Sequence, residues 1–145
     1  MNIGRLIEKR ASSAIISCGT ETPMRDAIAL LAEKRIGAIP VMDGGKVVGI
    51  FSERDVLYCL AQEGEASLSR PVGKVMTCPA ITIDRETPCD GALALMTRRR
   101  IRHLPVLEAD EETMCGFISI GDLVKARIDE VEHEAQAMRQ YIAAG

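Results

Sequence analysis

The chain has 145 residues, 47% hydrophobic and 27% charged, the balance of one ordinary globular domain rather than a disordered or membrane-spanning chain. A net charge of −3, 3% aromatic content and no Trp argue against a general attraction to nucleic acid or anionic membrane and against a stacking platform for bases. Five scattered cysteines (Cys18, Cys59, Cys78, Cys89, Cys115), odd in number and without a C-x-x-C pair, argue against a disulfide framework or zinc site and point to reduced thiols in the cytoplasm.

The N-terminus, Met1–Leu6, lacks the apolar core of a signal peptide, and no apolar run approaches a membrane span. Residues 3–10 are expected to form a short helix with Ile3, Leu6 and Ile7 on one side, within a lead-in over 1–13. Ala14-Ile15-Ile16-Ser17 reads as a strand. Thr22-Pro23 reads as a helix start, with Thr as N-cap and Pro at the first helical position. Ala27, Ile28, Leu31 and Ala32 then give that helix one apolar face, and Arg35-Ile36-Gly37 ends it. Ala38–Met42 is a strand whose Pro40 suggests a sheet edge. Asp43-Gly44-Gly45 is a hairpin turn. The Lys46–Phe51 strand follows, then a helix from Glu53 to about Gln62. Residues 63–71 are polar and turn-rich and open a linker over 63–77, with one helical turn at Val72–Thr77.

The pattern then starts again. Ala80–Ile83 matches the first strand, Thr87-Pro88 matches Thr22-Pro23, and Ala92, Leu93 and Met96 match Ala27, Ile28 and Leu31. Ile101-Arg102-His103-Leu104-Pro105-Val106 matches Ile36-Gly37-Ala38-Ile39-Pro40-Val41. The second copy is slightly longer in the acidic loop near 108–112, where insertion is tolerated. The repeats span 14–62 and 78–128, each β-α-β-β-α, and each leaves an apolar sheet face that one copy cannot easily bury. The expected fold is therefore α+β (α/β): two repeats packed as a pseudo-two-fold pair, with a short N-terminal and a long C-terminal helix. The last helix runs from about Gly121 to Ile142, with a C-terminal extension over 129–145. Val124, Ile128, Val131, Ala135, Met138 and Ile142 form a heptad seam. Val124 and Ile128 are expected to pack on their own domain, and the seam beyond Val131 on a partner helix in a homodimer.

One stretch carries chemistry and occurs in both repeats: Gly49-Ile50-Phe51-Ser52-Glu53-Arg54-Asp55 and Gly116-Phe117-Ile118-Ser119-Ile120-Gly121-Asp122. In each, a buried strand turns at Ser into a helix whose start is electropositive and rich in free N–H groups. Glycine allows close approach of a ligand or another backbone, and the Ser hydroxyl and Asp carboxylate suit a ribose-phosphate. Ser-x-x-Asp alone also matches a plain capping box, but duplication in matching contexts favours a site.

Thr-Pro at a helix start, Ile-x-x-h-Pro-Val (h, hydrophobic), a hairpin and Gly-h-h-Ser-x-x-Asp, all in tandem over about residues 14–128, resemble a CBS-domain pair, or Bateman module, of the stand-alone bacterial kind. The resemblance implies a non-catalytic regulatory sensor that binds an adenosine ligand (AMP, ADP, ATP, NAD(H) or S-adenosylmethionine) between repeats, often as a flat dimer. It implies that Asp55 and Asp122 accept from ribose hydroxyls and that Ser52 and Ser119 contact ribose or phosphate. Ile16, Ile81, Ile39 and Leu104 would wall the adenine. Arg102 and His103, helped by Arg54, would reach phosphates of the site built on Asp55. The first repeat has Gly37-Ala38 at the corresponding position, so the site on Asp122 would bind more weakly or take a different ligand.

The remaining signals are ordinary. Arg98-Arg99-Arg100 ends a helix where cations suit the dipole. His133 lies in a charged helix, and Cys59, Cys89 and Cys115 in apolar contexts. With no Ser-His-Asp order, metal-ligand spacing, phosphate loop or Gly-x-Gly-x-x-Gly, no enzyme activity is expected. The competing function is an adaptor with empty clefts whose C-terminal helix docks an unidentified regulated partner.

Overall fold

The computed structural model describes residues 1–10 and 14–144; the end of the lead-in, 11–13, and Gly145 lie outside the described residues. Helix α1 (Ile3–Lys9) is capped by Asn2, whose side chain accepts from the Arg5 amide at 3.0 Å. Strand β1 is only Cys18–Gly19, helix α2 is Met24–Lys34, and β2 (Ala38–Asp43) and β3 (Lys46–Ser52) form a hairpin. Its two-residue turn, Gly44-Gly45, has φ of 58° and 82°, the left-handed geometry that matches the twist of the strands. Helix α3 (Glu53–Glu63), a tight helical turn over Gly64–Ser69 and α4 (Val72–Val75) lead to the second repeat: β4 (Ile83–Asp84), α5 (Cys89–Arg99), β5 (His103–Leu107), β6 (Met114–Ser119) and α6 (Ile120–Ala144). The described residues form two three-stranded sheets, ordered β1-β2-β3 and β4-β5-β6, each with a parallel first pair and an antiparallel second pair.

Three local expectations change. The Ala14–Ser17 and Ala80–Ile83 strands shrink to residue pairs displaced toward the C-terminus, because the apolar residues before them line cavities instead of joining a ladder. Helices α2 and α5 start one residue after the prolines. Thr22 and Thr87 instead accept the Gly19 and Asp84 amides (3.2 and 3.3 Å) and close the preceding turns. Pro40 lies in a central strand, yet β1 reaches only Val41 and Met42, so the N–H that proline lacks would have had no ladder partner. The turn-rich 63–71 stretch forms the tight helical turn over Gly64–Ser69. Ser67 is fully buried and donates to the Gly64 carbonyl at 2.7 Å.

The cores show how the repeats interlock. Met24, Ala27, Leu31, Ile39, Val41 and Phe51 pack with Val72 of α4, and Ile83, Met96, Leu104, Val106, Ile118 and Leu123 pack with Ile3 and Leu6 of α1. The N-terminal helix therefore serves the second repeat as α4 serves the first. Equivalent bonds hold them: the Ile3 and Gly4 amides donate to Thr87 and Arg85 carbonyls, and the Val72 and Gly73 amides to Thr22 and Thr20 carbonyls, all at 2.8–2.9 Å. The motif glycines make room for these crossing segments. A Cβ on Gly49 would lie 2.6 Å from Met76 Sδ and 2.9 Å from the Thr77 carbonyl, and one on Gly116 would lie 2.6 Å from Ile7 Cδ1. The close approach expected at these glycines is that of the chain itself.

Helix α6 buries Leu123 and Ala126, not Val124 and Ile128. The heptad seam does not coincide with the packed face: Ala135 is half-buried, and Val124, Ile128, Val131, Met138 and Ile142 stand exposed, at 43–70%. If this stripe pairs two copies of the chain, Val131→Glu with Met138→Glu is expected to lower the mass to that of a monomer in light scattering, with little change in melting temperature, since exposed substitutions usually fall within about 0.5 kcal/mol. An unchanged mass would show that the stripe pairs nothing.

Candidate functional site

Two cavities lie between the repeats, and each takes one Ser-x-x-Asp corner. In both corners the Ser amide donates to the Asp carboxylate, at 2.9 Å for Ser52–Asp55 and 2.7 Å for Ser119–Asp122. The first helical amide is also spent internally: Glu53 donates to the Gly37 carbonyl at 3.0 Å and Ile120 to that of Arg102 at 2.8 Å. The capping role is thus real, and it fixes each carboxylate at a cavity wall.

The first cavity, about 210 Å³, is lined by Ser52, Arg54, Asp55 and Tyr58 of one repeat, by Thr77 to Ile81 of the crossing segment save Cys78, and by Arg99 to His103 of the other repeat. Asp55 is buried. One carboxylate oxygen takes the Ser52 amide and hydroxyl (3.2 Å) and the other the Thr77 hydroxyl at 2.9 Å. Arg54 donates to the Arg100 carbonyl at 3.1 Å, tying the two repeats across the rim. Four arginines (54, 99, 100, 102) face two acids (Glu53, Asp55) around this opening. His103 stacks on Phe117 with centroids 5.6 Å apart. Burial, and then the Arg102 charge, push its pKa below the usual histidine value, so at pH 7 it is a neutral hydrogen-bonding ring, not a second cation.

The second cavity, about 790 Å³, is lined by Phe117, Ser119 and Asp122 on one side, by Ile15, Ile16, Ile36 and Ala38 on the other, and by Ile7, Glu8 and Arg10 at the end of α1. Ser119 Oγ accepts from the Asp122 amide at 3.2 Å. His103 and Ala38 line both cavities.

Ser52, Arg54, Asp55, Ile81, Arg102 and His103 meet at the first cavity, and Ile16, Ser119 and Asp122 at the second. Ile39 and Leu104 reach neither: both are fully buried in the repeat cores. Side chains alternate across a strand, so the cavity takes the preceding residues, Ala38 and His103. Thr77, Tyr58 and Arg10 also line these cavities, and no local motif marks them. Arg99 and Arg100 stand out in the sequence as a cation run that by itself signals a helix end, and the structure adds them to the first cavity's lining. Burial lifts the Cys18 thiol to about 11 and raises those of Cys59, Cys89 and Cys115, as expected of inert packing residues. Among the described residues no cluster of three His, Cys, Asp or Glu could hold a metal, and no helix is long and apolar enough to cross a membrane.

The model for the CBS domain matches residues 7–62 and 72–129. The chain is 36% identical over 142 residues to the mitochondrial CBS domain-containing protein CBSX3 of Arabidopsis thaliana, covering 94% of this chain and 68% of that one. A putative signal-transduction protein with CBS domains from Burkholderia ambifaria is similar in structure, with TM-score 0.82 and 34% identity over 89% of this chain and 95% of that one. A CBS domain protein from Pyrobaculum aerophilum, solved in complex with AMP, aligns with TM-score 0.72 and 26% identity over 84% and 89% of the two chains.

Proposed function

This chain belongs to the CBS-domain family, and from that premise we propose that it is a non-catalytic regulatory module that binds an adenosine nucleotide between its repeats and signals by its conformation or by its contacts with a partner. The observation that carries this reading is the first cavity: a buried carboxylate from one repeat faces an arginine rim from the other. Asp55 accepts from the ribose hydroxyls, Ser52 supports it, Ile81 and Ala80 flank the base, and Arg102 with Arg54 holds phosphate. The cavity lies below the roughly 300–1,000 Å³ of ordinary small-molecule sites, so the phosphates extend along the rim. The AMP complex of the Pyrobaculum protein supports AMP as the first probe. The exposed α6 stripe supports self-association as a homodimer, and five free thiols support a reducing compartment such as the cytoplasm.

A thermal-shift panel of AMP, ADP, ATP, NADH and S-adenosylmethionine tests the reading. A true ligand at a hundred times its Kd stabilises by about 2.7 kcal/mol, roughly 5–10 °C here. Arg102→Ala is expected to weaken AMP about tenfold or more by calorimetry, because it removes a charge-assisted phosphate contact. No shift with any of the five would leave the adaptor reading in its place.

A further inference from the structure

Asp122 differs from Asp55 in what already holds it. Thr77, a neutral hydroxyl, bonds Asp55 at 2.9 Å. In the second cavity the crossing segment is the end of α1, and there Arg10 Nη2 lies 2.5 Å from Asp122 Oδ2, the oxygen that also accepts the Ser119 amide. Arg10 Nη1 donates to the Phe117 carbonyl at 3.1 Å. Among the described residues lining this cavity Arg10 is the one lysine or arginine, and His103, its pKa lowered, adds no charge at pH 7. Arg10 is 41% exposed and Asp122 25%, so water screens the pair and weakens its attraction. Helix α1 does not depend on it, since Ile3 and Leu6 are in the core and two backbone bonds pin its start.

We propose that Arg10 is a specificity-determining residue of the second cavity: it passes from Asp122 to the anionic group of an incoming nucleotide, freeing the carboxylate for the ribose. An uncharged nucleoside competes with Arg10 for Asp122 and leaves a guanidinium unpaired. A phosphorylated one supplies the guanidinium with a new partner. The cavity therefore selects nucleotides over nucleosides, using a cation that the strand preceding Pro40 does not carry. This rests on the reading that the cavity takes an adenosine ligand.

The test is calorimetry with AMP and with adenosine, in an Asp55→Asn background that weakens the first site, with Asp122→Asn added to assign the remaining binding. Arg10→Ala is expected to weaken AMP about tenfold and to tighten adenosine several-fold. Arg10→Gln, which keeps hydrogen bonding without charge, is expected to repeat the pattern, and both variants to keep the wild-type melting temperature within a few degrees. Tightening of both ligands would make Arg10 a plug. Equal weakening of both, or no change in either, would make it structural. Any of these overturns the proposal. So does the absence of Asp122-dependent binding of either ligand, and wild-type titration of the first site then shows separately whether the sensor reading survives.

Discussion

Replacing Leu104 by alanine is expected to lower unfolding free energy by about 2–5 kcal/mol while leaving AMP affinity of the folded protein unchanged. Leu104 has no exposed surface and packs among Ile83, Met96, Val106, Ile118 and Leu123 beneath α5 and α6. Removing its branched end loses the transfer energy of the buried methyls and leaves a hole that rigid neighbours fill only in part. Leu104 lines neither cavity, because the strand turns His103 toward the cavities and Leu104 the other way. Urea denaturation measures the first effect and AMP calorimetry below the transition the second. A stable variant with weakened AMP binding would return Leu104 to the wall of the site.

Asp55→Ala is expected to reduce AMP binding at the first cavity by about a hundredfold or more. Hydrogen bonds to a charged group are worth about 1.5–3 kcal/mol each, and a ribose offers two hydroxyls to this carboxylate. The change also leaves the Ser52 amide and the Thr77 hydroxyl without their acceptor, which loosens the corner by about 1 kcal/mol, as loss of a helix cap does. Asp55→Asn separates the two effects, since the amide oxygen still accepts but without charge. An Asp55→Ala protein that titrates AMP like wild type would take the ribose elsewhere.

Much of this was readable in advance for local reasons. The hairpin turn at Gly44-Gly45, the start of α3 and the doubled Gly-h-h-Ser-x-x-Asp corner are set by a few adjacent residues, so their chemistry shows in the chain. Phase errors came where tertiary packing chose the face. Ile39 and Leu104 lie one step from the cavity side of their strands, and Val124 and Ile128 one and two residues past the buried Leu123 and Ala126 of α6. Apolar patterning marks such a face as buried or pairing without saying against what.

The sequence by itself determined the tandem repeat, the β-α-β-β-α order of each copy, and a carboxylate at the same corner of each repeat. Only the tertiary structure decided that α1 serves the second repeat, that Arg99 and Arg100 border the first cavity, and that Arg10 sits on Asp122 where Thr77 sits on Asp55. Backbone and turn preferences act between neighbours in the chain. These pairings join residues brought together only when two interlocked cores close, so no local pattern announces them.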